Sequence, residues 1–253
     1  MTSPILVTGG TGTLGRHVVP LLRDAGREVR VLSRHGGTAR DGVSHVTADL
    51  LDGTGLDAAL DGVETVLHLA GGPKGDDTAT EKLVRAARKA DVRHFVYISV
   101  IGADAVPLGY FRAKHGAEQA VAAAGVPWTT LRAAQFHDLA LTTVRAMAKL
   151  PVVPAPATVR WQPVDARDVA ERLAELTLGQ PAGRVPDLAG PEVFGLDALV
   201  RSYLAAAGKH RPLLPMRVPG KVGRVYRAGA NLNLETAQQG TRTWAQFLAA
   251  QVG

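Results

Sequence analysis

Two sets of residues in this chain have types and spacings that could do chemistry. The first is Gly9, Gly12 and Gly15, three residues apart, directly after the apolar run Ile5-Leu6-Val7. Gly9 permits a sharp turn out of a strand, Gly12 lets backbone N–H groups approach phosphate oxygens, and Gly15 allows a helix to pack closely on the strand. The helix N-terminus adds partial positive charge, so the segment reads as a cradle for a dinucleotide pyrophosphate. The plain alternative is a glycine-rich turn with no ligand. The second set is Tyr110 and Lys114, whose spacing of four puts a phenol and an ammonium on one helix face. Such a lysine can bind a nicotinamide ribose and lower the phenol pKa from about 10, making Tyr110 a proton donor or acceptor. The plain alternative here is a packed aromatic and a solvated lysine.

These groups need strands and helices to hold them. Apolar strand candidates recur at 4–8, 28–33, 44–47, 64–69, 94–100 and 127–131. Helical patterns lie between them: Leu14 to the stop at Gly26, Leu56 to Leu60, Thr80 to Ala90 and Gly109 to Ala124. Strands that alternate with helices imply an α/β fold, a Rossmann-type doubly wound parallel sheet with helices on both faces. Right-handed crossovers then bring the carboxyl ends of the strands, where ligands collect, to one edge. After about residue 150 prolines punctuate short extended segments. Asp165 to Leu178 resumes a helix, 184–189 reads as a strand, and 196–252 is mostly helical with a proline-rich break at 212–219. The expected organisation is a cofactor-binding core over 1–150. Residues 151–253 partly complete that core and partly form a small C-terminal substrate lobe.

The end of the second strand decides which dinucleotide fits. An acidic residue there normally accepts hydrogen bonds from the adenosine ribose of NAD. This chain has Ser33-Arg34 instead, nineteen positions after Gly15. Arg34 suits the 2′-phosphate of NADP through its planar fork, with Ser33 as a further donor, so NADP(H) is preferred over NAD(H). Arg16 can assist, and Arg40 is a weaker candidate. Asp49 can accept the adenine amino group while Leu50 covers the ring; capping the next helix is the competing role for Asp49. The small residues Ala70 and Gly71 at the end of the fourth strand would let the cofactor ribose approach the backbone, though a plain loop would look the same.

Composition bounds the rest. A chain of 253 residues that is 46% hydrophobic and 21% charged is neither disordered nor membrane-spanning. The start of the first strand near residue 4 predicts no preceding signal peptide. With no cysteine there is neither disulfide nor thiolate chemistry, which fits a cytoplasmic setting. The net charge of +6 is spread over scattered arginines without a basic run interleaved with aromatics. The surplus is read as partly directed at an anionic cofactor and partly as an arginine-rich surface. The expected partner is a small-molecule substrate, with no nucleic acid and no membrane, for a monomer or homodimer.

The chain resembles the short-chain dehydrogenase/reductase superfamily, specifically its atypical, NmrA-like branch. The resemblance is carried by Thr8 to Arg16, Val31-Leu32-Ser33-Arg34, Val96 to Ala103, Tyr110 with Lys114, Leu131 to Phe136, and Val164 to Ala170. It implies Gly9, Thr11, Gly12, Thr13, Leu14 and Gly15 at the pyrophosphate, Ser33 and Arg34 at the 2′-phosphate, and Asp49-Leu50 at adenine. It also implies Lys114 at the nicotinamide ribose, with Ala133 to Phe136, Gln135 among them, beside the nicotinamide. The superfamily's third catalytic member is a Ser or Thr near the end of strand five. Ser99 is the hydroxyl available there, eleven residues before Tyr110 and slightly short of the usual gap; two residues later the position is Ile101. The loop after strand six reads Ala133-Ala134 where the family has Pro-Gly.

Other polar residues offer less. Gln135 and His137 follow the sixth strand and could orient substrate, or serve a cap or the surface. Trp161 could line a substrate pocket or belong to the core. His68, inside an apolar strand, reads as a satisfied interior histidine, and no metal-ligand spacing occurs among the eight histidines. The leading expectation is an NADP(H)-dependent oxidoreductase that moves hydride between nicotinamide and a small carbonyl, quinone or enone, with Tyr110 transferring the proton. The alternatives are a non-catalytic NADP(H) sensor and an epimerase or dehydratase with tightly bound cofactor.

Overall fold

The structure is a computed structural model that describes residues 3–39, 41–72 and 75–252; Arg40 lies outside them. In chain order the elements are β1 (Ile5–Thr8), α1 (Gly15–Asp24), β2 (Val29–Ser33), β3 (Val43–Thr47), α2 (Leu56–Leu60), β4 (Thr65–His68), α3 (Asp76–Lys89), β5 (His94–Val100), α4 (Gly109–Ala123), β6 (Trp128–Ala133) and α5 (His137–Met147). There follow β7 (Val153–Ala155), β8 (Arg160–Trp161), α6 (Ala166–Leu178), β9 (Gly183–Arg184), β10 (Leu188–Ala189), β11 (Phe194–Gly195), α7 (Leu196–Ala206), β12 (Leu213–Pro215), α8 (Gly220–Arg227), β13 (Gln238–Gln239) and α9 (Trp244–Val252). The chain divides into two compact units.

The first unit comprises residues 1–99, 109–131 and 169–185. Its strands follow the order β3-β2-β1-β4-β5-β6, and β1 runs parallel to both β2 and β4. All four residues of β1 and all seven of β5 are buried, as expected of strands covered on both faces. On one face Leu6, Val66, Phe95 and Tyr97 meet α2, α3 and α4 through Leu60, Leu83, Val84, Ala117 and Val121. On the other, α1 lies against β1 and β2. The strand order reverses between β2 and β4 on either side of β1, and such a switch point opens a crevice at the carboxyl ends of the strands.

The second unit comprises residues 100–108, 132–168 and 186–253. Its core joins α5, α7 and α9 through Leu141, Val144, Leu199, Tyr203, Trp244 and Phe247. The Trp244 indole donates to the Ser202 hydroxyl at 2.8 Å. Asp168 accepts from the backbone N–H groups of Thr241 and Arg242 and pairs with the Arg242 guanidinium, anchoring the turn before α9.

Three boundaries differ from the sequence reading. The strand expected at 184–189 is two short strands: β9 pairs with β6 through Thr129 and Gly183, and β10 pairs with Ala133 through Leu188. Pro186 sits between them and has no N–H to give to a ladder. Helix α3 begins at Asp76 rather than Thr80, because Gly75 turns left-handed and Asp76 and Asp77 fill the first turn, where negative charge is favoured. The proline-rich break contains β12, which lies parallel to β7 with Val153 opposite Leu213. Among the described residues no helix is long and apolar enough to cross a membrane.

Candidate functional site

The glycine loop occupies the switch point itself. Gly9 has φ +67°, and a Cβ there would lie 2.7 Å from the backbone nitrogen of Ala70 at the end of β4. Only glycine relieves both constraints at once. Gly12 donates to the Gly9 carbonyl at 3.0 Å and accepts from Arg16 at 3.1 Å, which closes the turn into α1. No acceptor among the described residues meets the N–H groups of Thr11, Thr13 and Leu14. Helix α1 has no side-chain cap and no acid in its first turn. Donors left open at a helix N-terminus are what a pyrophosphate requires. The close approach to the neighbouring strand belongs to Gly10 rather than Gly15: a Cβ on Gly10 would reach within 2.9 Å of Val31. A Cβ on Gly15 would run into the loop backbone at Gly9 and Gly10 instead.

Ser33 ends β2, and its hydroxyl accepts from the His35 N–H at 3.2 Å. Arg34 follows, exposed, with no ion-pair partner among the described residues. The Asp49 carboxylate accepts from the Leu51 N–H at 2.7 Å and so shapes the turn after β3, with one oxygen left over. Leu50 is half-buried against the core.

Behind the loop lies a buried polar network that joins β1 and β4 to α3. Ala70 N–H donates to the Thr8 hydroxyl at 3.1 Å, and the Thr80 hydroxyl donates to the Asp76 carbonyl at 2.7 Å. His68 sits between the two threonines, with Nδ1 2.6 Å from Thr8 Oγ1 and Nε2 2.9 Å from Thr80 Oγ1. Each hydroxyl has one proton, so the order is fixed: Thr8 donates to Nδ1, and the Nε2–H donates to Thr80. His68 is neutral, its pKa pushed down to about 3 by burial and by the Lys114 charge. It stacks on Tyr97 at 5.4 Å. The expectation of a satisfied interior histidine agrees with this arrangement.

Lys114 projects into the same interior. Its ammonium lies 2.9 Å from the Asp76 carboxylate, 3.3 Å from the Ile98 carbonyl and 5.0 Å from the centre of the Tyr97 ring. Gly71 clears the space, since a Cβ there would stand 3.1 Å from the Lys114 nitrogen. Sequence reasoning passed over Asp76. The signal was present in Gly75-Asp76-Asp77, a helix start with acids in its first turn, but nothing in the sequence aims that carboxylate at Lys114.

Tyr110 is 41% exposed, yet burial around its hydroxyl and then the Asp76 charge push its pKa up to about 12. The expected lowering by Lys114 is therefore corrected: burial outweighs it, and the Asp76 carboxylate paired with the ammonium acts in the same upward direction. Ser99 is buried, and its hydroxyl has no hydrogen-bond partner among the described residues.

In the second unit Ala133 and Ala134 are buried, and Ala134 donates to the Leu188 carbonyl at 2.9 Å. Phe136 is half-buried at the start of α5 and bridges to Val164. Gln135 is 8% exposed with both amide atoms unpartnered among the described residues. His137 is fully buried against Trp244 and Phe247, with Nε2 3.1 Å from the Pro163 carbonyl. It belongs to the core of this unit, which corrects the expectation that it orients substrate. Beside it the Asp165 carboxyl, which burial alone would raise, is held far below the usual range by hydrogen bonds from the Arg167 side chain and backbone N–H. Trp161 is half-buried against the same helical core, with its indole N–H unpartnered among the described residues.

Comparisons with known proteins place the chain by family and fold. Residues 9–178 match a family described as NAD(P)H-binding. The chain is 38% identical over 199 residues to (4-alkanoyl-5-oxo-2,5-dihydrofuran-3-yl)methyl phosphate reductase of Streptomyces griseus, covering 75% of this chain and 69% of that one. It is 31% identical over 217 residues to NAD(P)H azoreductase of Xenophilus azovorans, covering 81% and 74%. Its fold is shared with an NADPH-dependent quinone oxidoreductase of Escherichia coli in complex with NADPH. There the TM-score is 0.81 at 21% identity, over 98% of this chain and all of that one.

Proposed function

The chain belongs to the NAD(P)H-binding family, and from that premise we propose that it is an NADP(H)-dependent oxidoreductase acting on a small carbonyl, quinone or enone. We place it within the short-chain dehydrogenase/reductase superfamily, in the NmrA-like branch. The observation that carries the reading is Arg34, an exposed guanidinium with no counter-ion among the described residues, at the strand end where an NAD-binding chain would carry an acid. The relatives support the reaction class, since two of them are named as reductases.

The residues present fit the cofactor. The open N–H groups of Thr11, Thr13 and Leu14 would hold its pyrophosphate, Arg34 and Ser33 its 2′-phosphate, Asp49 and Leu50 its adenine, and Lys114 its nicotinamide ribose. Ala70 and Gly71 leave the backbone approachable, and Ala133, Gln135 and Phe136 would flank the nicotinamide. When bound, the cofactor supplies or accepts the hydride. Tyr110 holds its proton at neutral pH and would give it to an oxygen that gains charge, while Ser99 has a hydroxyl without a partner among the described residues to align that oxygen. In the second unit Gln135 and Trp161 would offer amide and indole donors to a substrate carbonyl.

One observation favours a second reading, a non-catalytic NADP(H) sensor. Asp76 balances Lys114, and the Tyr110 phenol is a weaker acid than usual, so the pair is not tuned as an activated proton donor. Two measurements separate the readings. Fluorescence titration with NADPH and NADH should show NADPH bound more tightly, with the difference removed in Arg34→Ala; equal affinities in the wild type would end the NADP assignment. Turnover of quinones, aldehydes and ketones with NADPH should then appear in the wild type and collapse in Tyr110→Phe. Tight NADPH binding with no turnover would favour the sensor.

A further inference from the structure

The net charge of this chain is not evenly distributed. The second unit holds thirteen Lys and Arg against eight Asp and Glu, whereas the first holds sixteen against fifteen. Within the second unit the imbalance lies in one stretch: from residue 198 to 234 there are seven Lys or Arg and no Asp or Glu. The arginines that look scattered when counted alone are concentrated once acids are counted with them. Arg211, Arg217 and Lys221 of this stretch are exposed and make no ion pair with any described residue.

The same stretch carries exposed apolar side chains. Strands β7 and β12 bury Val153 and Ala155 on one side, and Pro154 pairs with Leu214 on the other. Leu214 is 56% exposed and Met216 45%, and Val152, just before β7, is 46% exposed. Leu150 adds to them on the approach to the strand. Segment 139–164, which supplies β7, also contains Lys and Arg but no acid. Two paired strands distant in sequence thus carry exposed apolar side chains, with Arg211 and Arg217 just before and after β12 and no acid in either segment.

We propose that this face of the second unit docks on the surface of a lipid bilayer containing anionic lipid. The unpaired cations are drawn to the anionic headgroups, and Val152, Leu214 and Met216 enter the headgroup boundary. Each Lys or Arg brought to an anionic leaflet strengthens binding about fivefold, so three or four suffice for measurable association. A second copy of the chain is a poor occupant, because a two-fold contact would set the same cations against each other. A nucleic-acid backbone satisfies the charge but leaves the leucine, methionine and valine side chains without apolar cover. The inference rests on charge and exposure alone and stands whether or not the proposed activity is correct. It also departs from the expectation of no membrane partner, which considered spanning segments.

The test is co-sedimentation of the full chain with phosphatidylcholine vesicles, with and without phosphatidylglycerol, at low and high salt. Binding is expected only with phosphatidylglycerol and should weaken as salt rises. The triple variant Arg211→Glu, Arg217→Glu and Lys221→Glu should lose binding by more than tenfold, and Leu214→Ser with Met216→Ser should lose it severalfold. Thermal midpoints and NADPH titration of each variant report on folding separately. Wild-type protein that stays in the supernatant with phosphatidylglycerol vesicles overturns the proposal. So does a triple variant that binds like the wild type, or self-association in gel filtration that the triple variant abolishes while vesicle binding is absent.

Discussion

The Lys114 ammonium and the Asp76 carboxylate stand 2.9 Å apart with 6% and 3% of their side chains exposed, a closed ion pair directly under the loop that ends β4. Removing one partner of such a pair leaves a charge with neither water nor counter-ion, at a cost of about 3–5 kcal/mol. Asp76→Asn should therefore lower the denaturant midpoint sharply. The double variant Asp76→Leu with Lys114→Met should recover most of the loss, since a well-packed apolar pair replaces a buried ionic one at little net cost. Equal stability of Asp76→Asn and wild type in urea would show that the ammonium escapes to solvent.

His68 makes stability depend on pH. Its folded pKa of about 3 lies below the unfolded value near 6.5, so between these values the unfolded chain binds more protons. Its contribution to stability is intact above about pH 6.5 and erodes by about 1.4 kcal/mol per pH unit as the solution is acidified through that window. His94, also lowered by burial, adds a slope of the same sign. Urea unfolding at about pH 7 and about pH 5 should give a smaller difference in His68→Gln than in the wild type. Identical differences would mean that His68 is not held neutral.

Tyr110 tests whether the site is catalytic. If its phenol gives a proton in the reduction, Tyr110→Phe should cut kcat by about 10²–10⁴ with NADPH affinity unchanged. Because the phenol pKa is raised to about 12, turnover should also show no decline attributable to this group between neutral pH and about pH 9. Stopped-flow turnover across that range checks both, and a phenylalanine variant of normal rate would remove Tyr110 from the mechanism.

Gly10 is a packing glycine. Adding a valine side chain there would drive a Cβ to within 2.9 Å of Val31 and force apart the loop and β2. Gly10→Val should destabilise the fold by about 1–3 kcal/mol, as overpacking does, and weaken NADPH binding through the displaced loop. Differential scanning calorimetry and a binding titration measure the two effects; an unshifted midpoint would contradict the packing role.

Arg34 should contribute to affinity through its charge alone, because it supports no described contact in the protein. Arg34→Ala should weaken NADPH binding about 10- to 100-fold, the worth of a charge-assisted contact, and leave NADH binding and thermal stability as they were. A drop in the melting midpoint would assign it a structural role instead.

Local chemistry made much of this molecule legible in its sequence. Gly9 permits a left-handed turn out of the strand, the run Ile5-Leu6-Val7 can satisfy its backbone in a buried strand, and Ser33-Arg34 fall at the right distance from Gly15 for a strand to connect them. Those features depend on neighbours a few residues away, and the strands and most helices follow from them. What tertiary structure decided was the company each side chain keeps. Asp76 meets Lys114 only because β4, α3 and α4 converge; His137 becomes core because α9 brings Trp244 and Phe247 onto it. The Tyr110 phenol is a weaker acid than its spacing from Lys114 suggests, because the fold buries it and sets beside it the charge of a carboxylate 34 residues earlier in the chain. Periodicity carries the period of an element, and the sign of the electrostatic field inside the fold is set by partners that are distant in sequence.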